Sequence, residues 1–256
     1  MLNNASAING YAIEGTDGRI GSVNDFLFDD SSWLVRWLVV ETGSWLSGRK
    51  VLLPAAMLGH IDAKRQEFSV RLTMQEIKDS PDIDTEQPVS RQMERYVYDY
   101  YGWSPYWGTG IYVGGFGDMG GMTASPFNDT TRYQDEVSHA QKADGDPHLR
   151  SVDAVIGYHI HASDGEIGHV EDFLLQEADW SIHFLVVDTK NWWPAKKVLI
   201  SPKLVRKINW AAEMVKLSVS RQRVKDSPEY SHGTRVDRAF ERAFHNYYTA
   251  DQPPAL

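Results

Sequence analysis

His159 and His161 stand two residues apart, a spacing that puts both imidazoles on one face of a strand and makes them the best-placed pair of transition-metal ligands in the sequence. A metal site needs more than two ligands, and the candidates for a third, His169 and His183, lie on what read as neighbouring strands. A second chemistry is suggested by the carboxylates Asp17 and Asp25, which return later in the chain as Asp164 and Asp172. Paired acids can divide general acid and general base work between them. Both candidates have a plainer reading. Asp17 and Asp164 each precede a glycine, the pairing a tight turn favours, and Asp25 and Asp172 suit the capping of backbone amides. No Gly-x-x-x-x-Gly-Lys-Ser/Thr, Gly-x-Ser-x-Gly or His-Glu-x-x-His motif is present. The absence of cysteine excludes disulfides, thiolate nucleophiles and cysteine-ligated zinc. The expectation is a protein with no catalytic residues and no cofactor, in which His159 and His161 are weak metal candidates.

The elements that must position these residues occur twice. Asp17-Gly18-Arg19-Ile20-Gly21-Ser22-Val23-Asn24-Asp25-Phe26-Leu27 returns 147 positions later as Asp164-Gly165-Glu166-Ile167-Gly168-His169-Val170-Glu171-Asp172-Phe173-Leu174. The offset holds without a gap from Gly10/Gly157 through Trp33/Trp180, Trp45/Trp192 and Lys78-Asp79-Ser80-Pro81/Lys225-Asp226-Ser227-Pro228 to Tyr100-Tyr101/Tyr247-Tyr248. The shared residues are mostly glycine, aspartate, proline, tryptophan and apolar types, which set turns and cores. His159 and His161, in contrast, correspond to Ala12 and Glu14 in the first copy. A fold was duplicated, and no reactive set was duplicated with it.

Asp17-Gly18 predicts a hairpin turn, and Gly21 inside the return strand predicts a bulge or a close backbone approach. Trp33 to Glu41, rich in β-branched and aromatic residues, reads as the longest and most central strand. Lys50 to Leu53 is a strand ended by Pro54, and Phe68 to Leu72 alternates apolar with polar residues as a half-buried strand does. Thr73 and Glu76 form a capping-box signature for a short helix from Met74 to Asp79. Met93, Tyr96, Val97, Tyr100 and Tyr101 have helical spacing, so residues 91–101 are an expected amphipathic helix, matched by Val236 to Tyr248. Several short strands separated by turn signals argue for a small β-barrel, in which a sheet closed on itself leaves no open edge. The expected fold is mainly β: two tandem small barrels, residues 1–101 and 148–250, each followed by short helices. Residues 102–147, rich in glycine and aromatic residues, are the expected linker.

The net charge of −9 is unevenly spread, and residues 148–256 carry as many basic as acidic groups. The basic groups of the second copy include Lys196, Lys197, Lys203, Arg206, Lys207, Arg221, Arg223 and Lys225. A general nucleic-acid binder would want a basic domain, so nucleic acid is not an expected partner. No run approaches the ~18 consecutive apolar residues of a spanning helix, and the first residues lack a secretory pattern. The expectation is a soluble cytoplasmic protein with no transmembrane segment.

Gly-Tyr-x-Ile, Asp-Gly-x-Ile-Gly-x-Val-x-Asp-Phe, Trp-x-x-x-x-Leu-Val-Val and Lys-Val-Leu recur in this order in both copies. In these motifs the chain resembles the PRC-barrel family, named for the photosynthetic reaction centre H subunit and shared with a ribosome maturation factor. As a whole it resembles bacterial double-PRC-barrel proteins, in which Lys-Asp-Ser-Pro and Tyr-Tyr-Gly-Trp segments recur, here Lys78 to Pro81 and Tyr100 to Trp103. The resemblance implies a non-catalytic module for contact with proteins or RNA, often self-associating. No segment corresponds to the H subunit's membrane helix or to the ribosome factor's N-terminal domain, so neither activity carries over whole. The function expected is a scaffold or adaptor for an unknown protein partner, with homo-oligomerisation compatible with the family. Trp45, Trp192, Tyr100, Tyr101, Trp103, Tyr247 and Tyr248 are the candidate interface. RNA or ribosome association through the basic side of the second copy is one alternative; association with a membrane or photosynthetic electron-transfer complex is the other.

Overall fold

Asp17-Gly18 and Asp164-Gly165 each turn a hairpin, and each aspartate also reaches forward to the helix that closes its half. Asp17 Oδ1 accepts the Met74 amide at 2.8 Å, and Asp164 Oδ1 accepts the Arg221 amide at 2.7 Å. The structure, a computed structural model, describes residues 1–80, 148–189, 196–230, 236 and 238–249. The first half contains β1 (Leu2–Asn4), α1 (Ala5–Ile8), β2 (Ala12–Glu14), β3 (Arg19–Asp29), β4 (Leu34–Glu41), β5 (Lys50–Pro54), β6 (Leu58–Asp62), β7 (Glu67–Val70) and α2 (Met74–Lys78). The second contains β8 (Leu149–Ser151), α3 (Val152–Val155), β9 (His159–Ala162), β10 (Gly165–Gln176), β11 (Ser181–Asp188), β12 (Lys197–Ile200), β13 (Val205–Asn209), β14 (Met214–Leu217) and α4 (Arg221–Lys225). After α4 come β15 (Glu229–Tyr230) and α5 (Arg238–Thr249). The pairs β1/β8, α1/α3, β4/β11, β6/β13, β7/β14 and α2/α4 begin and end at repeat-equivalent residues. The expected linker, residues 102–147, and the expected helix at 91–101 lie outside the described residues.

The capping box at Thr73 is present in full, with the Thr73 hydroxyl accepting the Glu76 amide and the Glu76 carboxylate accepting the Thr73 amide. In α4, Ser220 caps the Arg223 amide at the equivalent place. Both halves bury matching residues: Ile13, Ile20, Phe26, Phe68 and Ile77 in the first, and Ile160, Ile167, Phe173, Val215 and Val224 in the second.

Two expectations are corrected. The longest strands of the described residues are β3 and β10, of 11 and 12 residues, rather than the segment from Trp33 to Glu41. Register shifts at Val23/Asp25 and Leu27/Phe28 break the period-two pattern of β3, which hides its length in the sequence. The second correction concerns closure. All strands of the described residues belong to one fifteen-stranded sheet of order β13-β14-β9-β10-β11-β4-β3-β2-β7-β6, with the remaining strands paired to its flanks. That path ends at β6 and β13, so among the described residues the sheet does not close along it. Hydrogen bonds that would complete each unit cross to the other instead: the edge of β3 beyond β2 receives β8 from the second half, and β10 receives β1 from the first.

Candidate functional site

The halves meet at a seam set by two tryptophans in a conformation that bulky residues rarely adopt. Trp33 and Trp180 have φ of 59° and 55°, in the left-handed region. A short acidic turn drives Trp33 there: Asp29 Oδ1 accepts the Ser31 and Ser32 amides at 3.0 and 2.9 Å, and the Trp33 amide closes on the Asp29 carbonyl at 2.7 Å. Burial alone would raise the Asp29 carboxyl, but the Ser31 and Ser32 hydrogen bonds and the Arg36 guanidinium hold it below its ordinary pKa. Both tryptophan carbonyls face across the seam. Trp180 O accepts the Val35 amide and Trp33 O accepts the Ile182 amide, each at 2.8 Å. These bonds flank Leu34↔Ser181, the register pair that joins β4 to β11. Leu34 and Ser181 are equivalent in the repeat, so the pair lies on a pseudo-two-fold axis.

The Trp180 ring leaves its own half. It stacks on Phe68 at 5.1 Å and Phe26 at 6.3 Å, both in the first half, and is only 5% exposed. Phe28 and Phe173 also meet across the seam, at 5.9 Å. The exchanged strands complete it. Asp172 accepts the Asn4 side-chain amide at 2.8 Å, the Ser6 backbone amide at 3.1 Å and the Ser6 hydroxyl at 2.5 Å. Asp25 accepts the Ser151 hydroxyl at 2.5 Å and the Asp153 amide at 3.2 Å. Each aspartate also binds the next amide in its own strand, Phe26 or Phe173. The repeated aspartates are therefore caps for the opposite half's short helix, in line with the amide-capping reading of Asp25 and Asp172.

The seam is electrostatically lopsided. Where Ser6 gives Asp172 a hydroxyl donor, the repeat places Asp153 beside Asp25. Burial first, and then the Asp153 charge, push the Asp25 carboxyl from 3.8 up to about 6 against its hydrogen bonds. Asp153 is itself raised by burial and by Asp172. Because the folded state holds the Asp25 proton more tightly than the unfolded state, this contribution to stability is full below pH 3.8 and is lost as pH rises through about 6. Asp153→Ser is expected to lower the Asp25 titration midpoint and to stabilise the protein at neutral pH by on the order of 1 kcal/mol, one hydrogen bond's worth. NMR titration of the Asp25 carboxyl together with denaturant melts at pH 4 and 7 checks this; an unmoved midpoint contradicts it.

The family model of the PRC-barrel domain matches residues 3–73. Residues 3–73 are thus similar to a PRC-barrel domain. A relative, an uncharacterized protein of Deinococcus radiodurans, is 33% identical over 95 residues, which is 36% of this chain and 34% of that protein. The match thus spans about a third of the relative's length. The PRC-barrel domain as matched begins inside β1, the strand that pairs with β10 of the other half.

Other repeated polar residues of the two halves are spent on backbone groups. In Lys-Asp-Ser-Pro, Ser80 Oγ donates to the Ile77 carbonyl and Ser227 Oγ to the Val224 carbonyl, each at 2.7 Å. Arg49 donates to the Ser80 carbonyl at 2.6 Å, while Lys196 reaches the Lys225 and Ser227 carbonyls at 2.6 and 2.7 Å. A cation thus neutralises the carboxyl end of α2 and of α4. Nothing in local spacing announces that contact, since each cation lies about thirty positions upstream of its carbonyls.

Among the described residues, no group of three or more histidine and carboxylate side chains is placed to hold a metal ion. His159 is exposed and its Nδ1 lies 3.0 Å from Glu166 Oε1; His161 sits two positions on in β9. Of the expected interface residues, Trp45 donates its indole N–H to the Ile20 carbonyl in its own half. The Tyr247 hydroxyl donates to the Arg223 carbonyl at 2.7 Å, and the Arg223 guanidinium lies 4.5 Å over its ring. Tyr248 is buried against Phe244, and burial pushes its phenol up to about 12. Trp192, Tyr100, Tyr101 and Trp103 lie outside the described residues. Sequence reasoning missed the seam's key residues Asn4, Ser6, Ser151 and Asp153. Lys196 and Arg223 hold backbone carbonyls, and Lys197 pairs with Glu171 at 2.5 Å. Among the described residues, no helix is long and apolar enough to cross a membrane.

Proposed function

We propose that this chain is a non-enzymatic adaptor built from a tandem pair of PRC-barrel units, the second a diverged copy of the first, which presents one body to a protein partner. The observation that carries the reading is the fate of the duplicated polar residues. Asp17/Asp164, Asp25/Asp172 and Ser80/Ser227 are each engaged with backbone groups in both halves, so what the duplication kept is the scaffold. The reciprocal seam supports a body in which the two halves hold a fixed spacing. The half-buried faces of Trp45 and Tyr247 are proposed contact points on it.

Affinity capture with the full chain from its native host, at low and high salt, tests the reading. The expected outcome is a protein partner that stays bound at both and that chemical cross-linking places on the barrel surfaces. Recovery of RNA that washes off steeply with salt would replace this reading with nucleic-acid association. Discovery of a turnover reaction abolished by one side-chain change would overturn the non-enzymatic assignment.

A further inference from the structure

The two ends of that strand path, β6 and β13, are equivalent in the repeat but opposite in character. At the first end, β6 is already covered: Glu177, from the second half, accepts the outward Ile61 amide at 3.2 Å and binds His60 Nδ1 at 2.7 Å. At the second end, Ile208 of β13 holds the matching register, Ile208↔Val215 beside Ile61↔Phe68, which turns its amide to the outer edge in the same way. The residue equivalent to Glu177 is Asp30, and it is turned away to His148 at 2.8 Å and Arg150 at 3.2 Å. Among the described residues, β13 has β14 as its one strand neighbour and no strand on its outer side.

Charge distinguishes the ends further. Lys203, Arg206, Lys207 and Lys216 are exposed and, among the described residues, form no ion pair. Their equivalents in the first half are Ala56, Gly59, His60 and Ser69, none of them a lysine or arginine. Lys207 stands directly opposite Lys216, a like-charge cross-strand pair that costs stability. The first half has a mutual hydrogen-bonded contact there, with Ser69 Oγ accepting the His60 amide at 2.8 Å and donating to the His60 carbonyl at 3.1 Å. Four cations have thus accumulated along one open edge of a chain whose net charge is −9.

We propose that the outer edge of β13, with Lys203, Arg206, Lys207 and Lys216 beside it, is a docking site for an extended acidic segment of a partner protein, which joins the sheet as a further strand. The proposal rests on the adaptor reading and specifies how the partner is held. Main-chain hydrogen bonds to the edge supply affinity, and acidic side chains over the lysines supply selectivity. The same cations repel a second β13 and so oppose self-pairing of this edge. Glu177 on β6 shows inside the molecule how a carboxylate reads the equivalent amide. RNA is the less favoured ligand for this surface. Trp210, the aromatic residue of the hairpin, is already engaged by Arg150 at 4.1 Å and Tyr158 at 5.9 Å, so its ring is not free to serve a base as a stacking platform.

The test uses the full chain and a labelled, end-blocked peptide alternating glutamate and valine, followed by fluorescence anisotropy. The peptide is expected to bind at low salt, and binding is expected to weaken by at least about tenfold in the double variant Lys207→Glu/Lys216→Glu, whose fold is checked by circular dichroism. A peptide of the same sequence with alternate backbone amides N-methylated leaves the protein untouched and is expected to lose a similar factor, because it cannot pair with the strand. No binding, equal binding by the double variant, undiminished binding of the N-methylated peptide, or tighter binding of a labelled oligouridine would each overturn the proposal. A partner captured from the host that the double variant still holds would leave the adaptor reading standing and remove this edge from it.

Discussion

Replacing Trp180 with alanine is expected to destabilise the protein by about 3–5 kcal/mol, the range for truncating a buried tryptophan, and to do so mainly in the half that does not contain the residue. The ring packs on Phe26 and Phe68 of the first half, so its removal leaves a cavity there. The surroundings cannot collapse easily, because β3 and β7 are tied into the sheet on both sides. A fall in Tm on the order of 10 °C should accompany the loss. Hydrogen exchange resolved by segment makes the prediction specific: amides of β3 and β7 gain exchange in the variant. Faster exchange confined to β10 and β11 would show that the ring serves its own half.

Gly168→Ala is expected to be at least as damaging. A Cβ at residue 168 would lie 1.9 Å from the Asp188 carbonyl oxygen, and φ there is +148°. Both strands are fixed by register on either side, so the clash is relieved only by unpairing β10 from β11. Gly21 repeats the situation, with 2.0 Å to the Glu41 carbonyl oxygen. The expected loss exceeds about 4 kcal/mol, the extreme of single-substitution effects, read as a collapse of the unfolding midpoint or of soluble yield. Gly10→Ala is the control. Its Cβ meets nothing within 4 Å, so the backbone strain of its positive φ, about 1–2 kcal/mol, should be the whole cost. Equal losses at 168 and 10 would show that the close strand approach is not what holds Gly168.

Much of this was legible in the sequence because it is written in local chemistry. The Asp-Gly turns, the Thr73 capping box and the glycine that lets two strands approach each have a signature a few residues long, and the repeat made each visible twice. The seam has no such signature. Asn4, Ser6, Ser151 and Asp153 are polar residues in short segments whose partners lie more than a hundred positions away. Which sheet a three-residue strand joins is decided by the edge left open when the longer strands have paired, and period-two patterning does not contain that information. The expectation of closed barrels failed for the same reason. It assumed that each copy uses its own strands, whereas the long β3 and β10 have room on one edge for a strand from each half. Trp33 was likewise read as the start of a strand, since its left-handed conformation depends on the Asp29 turn and on a carbonyl acceptor required by the other half.

The exchange across the pseudo-two-fold axis is the claim on which the rest depends, and a cross-link tests it most directly. Leu34 and Ser181 form a non-hydrogen-bonded antiparallel pair, a geometry with Cα atoms about 4.5 Å apart, within the span a disulfide bridges. The chain has no cysteine of its own, so Leu34→Cys/Ser181→Cys introduces one defined pair. Oxidation of the purified double variant should give a monomeric, internally cross-linked chain in high yield, with an unchanged circular dichroism spectrum and a raised unfolding midpoint. Two free thiols under the same conditions, or bonds formed only between chains, would mean that the halves do not meet at this seam.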